Sequence, residues 1–132
     1  MSGGVKPLGK IVYVCDDVLH DPASGKMHVV GAFDTIRVPR EEDYPYVLER
    51  LCVLAQFAGG LGKITFRVII VDASTGDEIF GSRTHSVTMP GGRTIVTLLI
   101  RLEDCLFPDP GTYLVQLYIG DEFVDDRRLT LI

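Results

Sequence analysis

The most constraining feature of this sequence is an apolar residue at nearly every second position over residues 64–132. Residues that favour turns, mainly Gly, Pro and Asp, interrupt this pattern about every ten residues. Successive side chains of a β-strand point to opposite faces of a sheet, so a period of two predicts strands that bury one face. The chain is therefore predicted to be a small all-β domain.

The length of 132 residues is enough for one domain. A chain of this size buries roughly two-thirds of the surface that it exposes when unfolded, so its core needs no disulfide or metal. Apolar residues make up 46% of the sequence and charged residues 23%, which excludes the disordered and low-complexity classes. We expect a flexible N-terminal segment over residues 1–9 and a single β-sandwich domain over residues 10–132.

About eight strands follow from the alternation and the turn residues. Their number and spacing favour an antiparallel sandwich of two sheets, with immunoglobulin-like or jelly-roll-like connections. The alternation changes phase after Phe33, close to Gly31, which predicts a bulge or a corner where the chain passes between the sheets. The most polar strand, 78–87, is predicted to be an exposed edge. In chain order, the predicted strands cover residues 10–19, 27–38, 47–57, 64–70, 78–87, 94–102, 112–119 and 123–132.

The first predicted strand is apolar on both faces. By alternation, Ile11, Tyr13 and Cys15 share one face, and Val12 and Val14 share the other. A strand with two apolar faces belongs inside the sandwich, so we do not place it at an edge.

The charge balance disfavours nucleic acid as a partner. Thirteen Lys and Arg residues against 18 Asp and Glu residues give a net charge of −5, which repels a phosphate backbone. The densest basic pair, Arg127 and Arg128, directly follows Asp125 and Asp126, so its charge is neutralised locally. No apolar segment approaches the roughly 20 residues that cross a bilayer, and the N-terminal residues carry no apolar core of a signal peptide. We therefore expect a cytoplasmic protein with no nucleic-acid or membrane partner.

The three cysteines, Cys15, Cys52 and Cys105, are widely separated and have apolar neighbours. An odd number of cysteines without the spacing of a disulfide framework favours buried, reduced thiols. Reduced thiols agree with a cytoplasmic location.

Two local motifs carry a resemblance to a known family. The first is Cys-Asp-Asp-Val at residues 15–18, followed after a short turn by Gly-Lys-Met-His-Val-Val-Gly-Ala-Phe-Asp at residues 25–34. The second is Pro-Gly-Thr-Tyr at residues 110–113. With these motifs the chain resembles, over residues 11–131, a family of small bacterial proteins known only as a domain of unknown function. The resemblance implies an all-β sandwich in the bacterial cytosol and carries over no activity and no catalytic residues.

The Pro-Gly-x-Tyr element also resembles the entry to the penultimate strand in several immunoglobulin-like sandwiches. In those proteins the tyrosine ring packs in the core and its hydroxyl group bonds to the backbone. The resemblance therefore implies a structural role for Tyr113.

Acidic and His residues around the first predicted turn are candidates for a metal site. They are Asp16, Asp17, His20, Asp21 and His28. Zinc needs three or four ligands and calcium six to eight oxygens, so other loops must contribute; the available residues are Asp104, Asp109, Asp121 and Asp125. Turns select Asp for hydrogen bonding to their own backbone, and no EF-hand or HExxH spacing occurs, so we assign no metal ligands and no cofactor. Binding of Ca²⁺ or a small ligand by the loop Asp residues is kept as the alternative function.

No spacing typical of a known catalytic site occurs. Residues 59–65 superficially match a phosphate-binding loop, but Phe57 and Ile64 stand where the motif requires Gly and Ser or Thr. His85 and Ser86 are neighbours, and neighbours on a strand point to opposite faces, so His85 does not activate Ser86 as a nucleophile. The protein is therefore expected not to be an enzyme.

The remaining candidates are residues of a protein interface. Tyr44 and Tyr46 lie with Arg40 in the least patterned and most charged segment, and Tyr and Arg are enriched at protein interfaces. Arg83 and His85 lie on the predicted edge strand, which offers unpaired N–H and C=O groups to another strand. From these five residues we expect a non-enzymatic module for protein–protein interaction or self-assembly, with a protein partner or a second copy of the chain.

Overall fold

The computed structural model describes residues 5–132, and these form a sandwich of two β-sheets. The predicted all-β, two-sheet fold class is confirmed. The described part contains ten strands and one short 3₁₀ helix, Glu41–Asp43. The strands are β1 (Leu8–His20), β2 (Met27–Ala32), β3 (Thr35–Ile36), β4 (Tyr46–Ala58), β5 (Leu61–Asp72), β6 (Glu78–Gly81), β7 (His85–Pro90), β8 (Ile95–Phe107), β9 (Gly111–Ile119) and β10 (Glu122–Leu131).

The strands are divided between a smaller and a larger sheet. The four-stranded sheet has the order β2-β1-β4-β8. The six-stranded sheet has the order β3-β10-β9-β5-β6, and β7 pairs with β5 on the same side as β6. Neighbouring strands are antiparallel, except that β3 runs parallel to β10. β1 lies between β2 and β4 in the strand order, but Leu8–Cys15 pair with β4 and Cys15–His20 pair with β2, so the predicted interior position holds fully only at Cys15.

Two differences from the predicted strands have local causes. The predicted edge strand splits into β6 and β7 at Ser82, whose side-chain oxygen accepts a hydrogen bond from the Val68 N–H at 2.9 Å. The Ser82 N–H donates to the Val68 carbonyl at 2.8 Å, so the chain remains hydrogen-bonded to β5 at the break. The predicted strand 27–38 also divides, because the chain leaves the four-stranded sheet after Ala32 and joins the other sheet as β3. The predicted corner is confirmed, and Gly31 beside it has a positive φ of 63°, which glycine adopts without strain.

The core lies between the sheets, and none of the buried described residues is polar or charged. The alternation places the same face of each strand inward over most of its length. The central strands β4, β5 and β9 contribute Leu51, Val53, Ala55, Phe57, Ile64, Phe66, Val68, Ile70, Tyr113, Val115, Leu117 and Ile119.

Tyr113 holds one end of this core. Its side chain is buried and packs edge-on against Phe107, with the ring centroids 5.0 Å apart. Its hydroxyl group donates a hydrogen bond to the Asp109 carbonyl at 2.6 Å. A buried ring with a hydroxyl satisfied by the backbone is a structural role.

The predicted faces of the first strand are wrong beyond Ile11. A bulge at Val12 shifts the register between β1 and β4 from Ile11 to Tyr13. Ile11 and Val14 point into the core, whereas Tyr13 is half exposed on the outer face, and Cys15 also lies on that face. A bulge inserts one extra residue, so it reverses the alternation that follows it.

Two charged side chains of β10 reach across the sandwich to this bulge. The Asp125 carboxylate accepts a hydrogen bond from the Ile11 N–H at 2.8 Å. The Arg127 guanidinium donates to the carbonyls of Ile11 and Val12, at 3.2 and 3.3 Å. The part of β1 before Cys15 is not paired with β2, so these side chains provide hydrogen bonds that a neighbouring strand would otherwise provide. We call Asp125 and Arg127 the β10 clasp.

The three cysteines are free and buried, as predicted. Burial raises the pKa of the Cys15 thiol to about 11 and that of Cys105 to about 12. Burial also raises the pKa of Cys52. All three groups therefore stay protonated at neutral pH, and a protonated thiol is a poor nucleophile.

The predicted flexible segment, residues 1–9, falls partly outside the described residues. In its described part, Val5 forms an isolated antiparallel bridge with Leu61, and Lys6 forms an ion pair with Glu122. β1 begins at Leu8. Flexibility of the segment stays a prediction. Over residues 5–132, the chain contains no helix with the length and apolar character needed to cross a membrane.

The β10 clasp makes a stability prediction. Replacing Asp125 by Ala leaves the Ile11 N–H without its acceptor, so we expect the free energy of unfolding to fall by about 1–2 kcal/mol. The side chain of the neighbouring Asp126 is exposed and makes no hydrogen bond or ion pair within the described residues, so Asp126→Ala is the control, with a change of about 0.5 kcal/mol or less. Urea unfolding measures both. Equal losses for the two variants would contradict the role of the clasp.

Candidate interaction site at the edge of β8

The edges of the two sheets differ in how their backbone groups are satisfied. β2 spans six residues and β3 spans two, so both offer short edges. The edge formed by β6 and β7 is interrupted at Ser82. Where β1 lacks pairing with β2, the β10 clasp bonds the backbone groups of Ile11 and Val12. In contrast, β8 spans 13 residues and, among the strands of residues 5–132, pairs only with β4.

The other side of β8 carries unpaired backbone groups. Within residues 5–132, only β4 forms hydrogen bonds with the backbone N–H and C=O groups of β8. Regular alternation runs from Ile95 to Glu103 and ends at Asp104, which has a positive φ of 54°. Beyond this point the phase changes, since Leu102 and Cys105 are both buried. We call residues 95–103 the β8 edge.

The β8 edge adjoins two apolar rows on the outer face of the four-stranded sheet. Cross-strand pairing places Leu8, Ala58 and Ile95 in the first row and Tyr13, Leu54 and Leu99 in the second. Between them lies a polar row of Lys10, Gln56 and Thr97. In the first row, Leu8 is 84% exposed and Ile95 is 64% exposed, so apolar surface reaches the edge.

A groove of about 600 Å³ lies between the β8 edge and the break between β6 and β7. It combines apolar and charged side chains from both sheets. Its lining is Phe80, Gly81, Ser82, Arg83, His85, Leu99, Arg101, Leu102 and Glu103. The structure therefore brings the predicted interface residues Arg83 and His85 together with Arg101 and Glu103, which the sequence did not single out. Their strand has the pattern of a sheet interior, and only the strand order shows that it is an edge.

The charged groups at the groove differ in their partners. Arg101 donates a hydrogen bond to the Asp17 carboxylate at 3.3 Å, and Arg50 donates to the same carboxylate at 3.1 Å. The Val18 N–H, followed by Arg101, holds the pKa of Asp17 below its ordinary value. Arg83 and Glu103 form no ion pair within 4.0 Å in the described part of the chain. Both charges are therefore available to a molecule in the groove.

His85 lines the groove. Its ring is partly buried and stacks on Phe66, with the centroids 5.6 Å apart and the planes 12° apart. Burial lowers the pKa of His85 below its ordinary value, and the positive charge of Arg83 lowers it further. His85 is thus a packed, largely neutral ring at neutral pH.

The other three predicted interface residues lie away from this groove. Arg40 is exposed, with its Nε atom 3.7 Å from the Asp43 carboxylate. Tyr44 and Tyr46 pack against the core, and Tyr46 is paired with Phe107 in the sheet. The Tyr44 hydroxyl is buried and has no hydrogen-bond partner in the described residues. None of the three lines the groove.

The loop Asp residues are not gathered into a metal site in the described structure. Asp17 is bound by Arg50 and Arg101, and Asp21 accepts hydrogen bonds from Ser24 and Ala23 in its own turn. Across residues 5–132, no three side chains of His, Cys, Asp or Glu lie close enough together to hold a metal ion. Ca²⁺ binding by these residues therefore stays a prediction without a geometric site.

Residues 10–132 match the model of DUF6941, a family of unknown function. The chain belongs to this family. The resemblance of the sequence to a family without an assigned function is confirmed, and the match covers the whole sandwich from β1 to β10. Among curated proteins, none matches this DUF6941 chain.

Solved structures similar to the DUF6941 chain include parts of a β-glucosidase from Listeria innocua. The complex of that enzyme with glucose superposes with a TM-score of 0.57 at 13% identity, covering 96% of this chain and 16% of the enzyme chain. Its complex with isofagomine has a TM-score of 0.51 at 16% identity, covering 74% of this chain and 14% of the enzyme. The DUF6941 chain thus spans about one-sixth of the length of the first of these matches. At such identities the likeness shows a shared fold alone.

The groove makes a prediction about the titration of His85. Burial and the charge of Arg83 both lower the pKa of His85. Arg83→Gln removes that charge, so we expect the pKa of His85 to rise. NMR titration of the ring Cε1 proton measures this value. Arg128→Gln serves as the control, because it removes a charge from β10, which is separated from β7 by β9 and β5 in the same sheet. A pKa that is unchanged by Arg83→Gln would contradict the arrangement.

The direction of the stability effect follows from the same shift. The folded pKa of His85 lies below the unfolded value of about 6.5, so protonation favours unfolding. The contribution of neutral His85 to stability is therefore present above that unfolded value and is lost as the pH falls from there through the folded pKa.

Proposed function

We propose that this DUF6941 protein is a non-enzymatic interaction module that binds an extended polypeptide strand along the β8 edge. The carrying observation is the run of unpaired backbone groups over residues 95–103, on a strand where two apolar rows of the outer face reach the edge. A regular edge of this length, about 30 Å, is a template for another strand, whose own backbone groups would complete the ladder.

Side chains on both faces of such a bound strand would find contacts. Residues on its inner face would meet the groove, where Phe80 and His85 offer ring surface and Arg83 offers a positive charge. Residues on its outer face would extend the row that ends at Leu99. Backbone hydrogen bonds would provide affinity, and these alternating contacts would provide specificity.

The treatment of the other edges supports this assignment. Native sheets protect their edges by keeping them short, by interrupting them or by covering them, because an open edge invites unwanted pairing. All three devices occur in this sandwich, at β2 and β3, at Ser82 and at the β10 clasp. A long edge left open beside protected ones is best explained by a partner that occupies it.

A bacterial cytoplasmic location completes the proposal. The three buried thiols remain reduced in such a compartment, and none of them needs an oxidising environment to support the core. The net charge of −5 keeps the chain away from nucleic acid and from anionic membrane surfaces.

The proposal predicts that lysine on the β8 edge weakens association. In Thr97→Lys/Leu99→Lys, two positive side chains would have to be desolvated beside an incoming strand, so binding should weaken at least roughly tenfold. The matched control is Tyr13→Lys, in the same apolar row as Leu99 but on β1, two strands away from the edge. Tagged proteins are purified from cells under native conditions. Light scattering measures the mass of each assembly, and mass spectrometry identifies the proteins in it.

We expect the wild type and Tyr13→Lys to elute in an assembly larger than one chain, and the double variant to elute alone. Thermal unfolding checks that all three proteins are folded. A monomeric wild type with no associated protein, or an assembly that survives the double substitution, would contradict the proposal.

A further inference from the structure

The β8 edge is complementary to itself, and we propose that the strand it binds is β8 of a second copy, antiparallel about a two-fold axis at Leu99. This inference rests on the proposed function and names its partner. In an antiparallel ladder, opposite residues point to the same face. A two-fold pair of identical strands therefore has one residue that lies opposite its own copy, and the identity of that residue defines the register.

The length of the regular edge selects Leu99 as that residue. Residues 95–103 alternate regularly, and the positive φ of Asp104 ends the regular section. The longest pairing of this section with its own copy is centred on its midpoint, which is Leu99. Every shift of the register shortens the regular ladder and leaves more backbone groups without partners.

Apolar residues then meet apolar residues on the inner face. In the register centred on Leu99, Val96 faces Leu102 of the second copy, and Leu98 faces Ile100 of the second copy. All four point towards the sandwich core in the single chain. Pairing would therefore join the two cores along the shared sheet. On the outer face, Leu99 faces itself and joins the two apolar rows that end there.

Charge complementarity favours the same register. Centres at Arg101 or Glu103 would place like charges directly opposite each other, which is destabilising. With Leu99 at the centre, Arg101 faces Thr97 and Glu103 faces Ile95. The turn that carries Arg93, just before β8, then lies beside Glu103 and Asp104 of the second copy. By symmetry this contact forms twice.

These charges form no ion pairs in the described part of the single chain, although Arg50 lies opposite Glu103 in the β4–β8 ladder. Within the described residues, Arg93, Glu103 and Asp104 form no ion pair within 4.0 Å. The β8 edge itself carries one Arg and one Glu, so its local charge is zero although the chain carries −5. Two copies can therefore approach along this edge without local repulsion.

Disulfide trapping tests the axis directly. Leu99→Cys places a thiol opposite its own copy, so mild oxidation with diamide should yield a covalent dimer. In Thr97→Cys the two thiols are separated by four residues along the ladder, about 13 Å, which is too far for a disulfide. Leu99 packs against the cluster of Cys15 and Cys52, so both variants are made in a Cys15→Ala/Cys52→Ala background that removes disulfides within one chain, and thermal unfolding checks that they fold. We expect a trapped dimer of Leu99→Cys and none of Thr97→Cys.

A charge exchange tests the register with surface residues that do not affect the core. Arg93→Glu and Glu103→Arg should each weaken the dimer, measured by analytical ultracentrifugation, by about five- to tenfold, because each removes two symmetric pairs and adds repulsion. The double variant Arg93→Glu/Glu103→Arg exchanges the signs within both contacts and should recover most of the wild-type affinity.

The outcomes separate this inference from the proposed function. A dimer that fails to trap through Leu99→Cys and is not rescued by the charge exchange would overturn the paired β8 edges. A purified protein that is monomeric at every concentration would also overturn the inference. In that case the proposed function still stands if native assemblies from cells contain another protein and disappear with Thr97→Lys/Leu99→Lys, and it falls with the inference if they do not.

Discussion

Backbone N–H and C=O groups at the edge of a sheet need hydrogen-bond partners, and this requirement organises the rim of the sandwich. β1 shows the requirement most clearly, because its first half lies beside β4 and has no strand on the other side. Asp125 and Arg127 satisfy the exposed groups of Ile11 and Val12 from the opposite sheet. The same bonds tie the sheets together at that side, since donor and acceptor belong to different layers.

In the part of the chain that the structure describes, no side chain closes the other side of the sandwich in this way. There β8 ends the four-stranded sheet, β6 and β7 end the six-stranded sheet, and the groove lies between them. The resulting asymmetry is the basis of the proposed function. A closed side and an open side in one small domain suit a module that presents a single edge for pairing. The likeness to parts of a bacterial β-glucosidase adds the fold and nothing about ligands, because function depends on sites and not on architecture.

Much of the fold could be predicted because alternation is a local property. The corner near Gly31 followed from a change of phase within one strand, and the buried state of Cys15, Cys52 and Cys105 followed from their apolar neighbours. The faces of β1 could not be predicted, because the bulge at Val12 forms only against β4. The break at Ser82 also depends on a tertiary contact, the hydrogen bonds with Val68.

The candidate site was accessible to sequence analysis only in part. Arg83 and His85 were selected for lying on a polar strand, and both line the groove. The sequence nevertheless predicted only residues 78–87 as an exposed edge and did not identify the β8 edge. β8 is long and apolar, which is typical of a buried central strand, yet it has a neighbour on one side only. Strand order depends on contacts between residues far apart in the chain, and alternation within a strand carries no information about which strands become neighbours.

The sequence by itself determined the fold class, the approximate strands and the buried character of the core, since these follow from which side chains must leave water. The tertiary structure alone decided which strand became the open edge, which side chains closed the other edge and which charges meet at the groove. Those outcomes depend on strand pairing, where backbone hydrogen bonds are nearly independent of side-chain identity and the whole set of packed strands selects the partners.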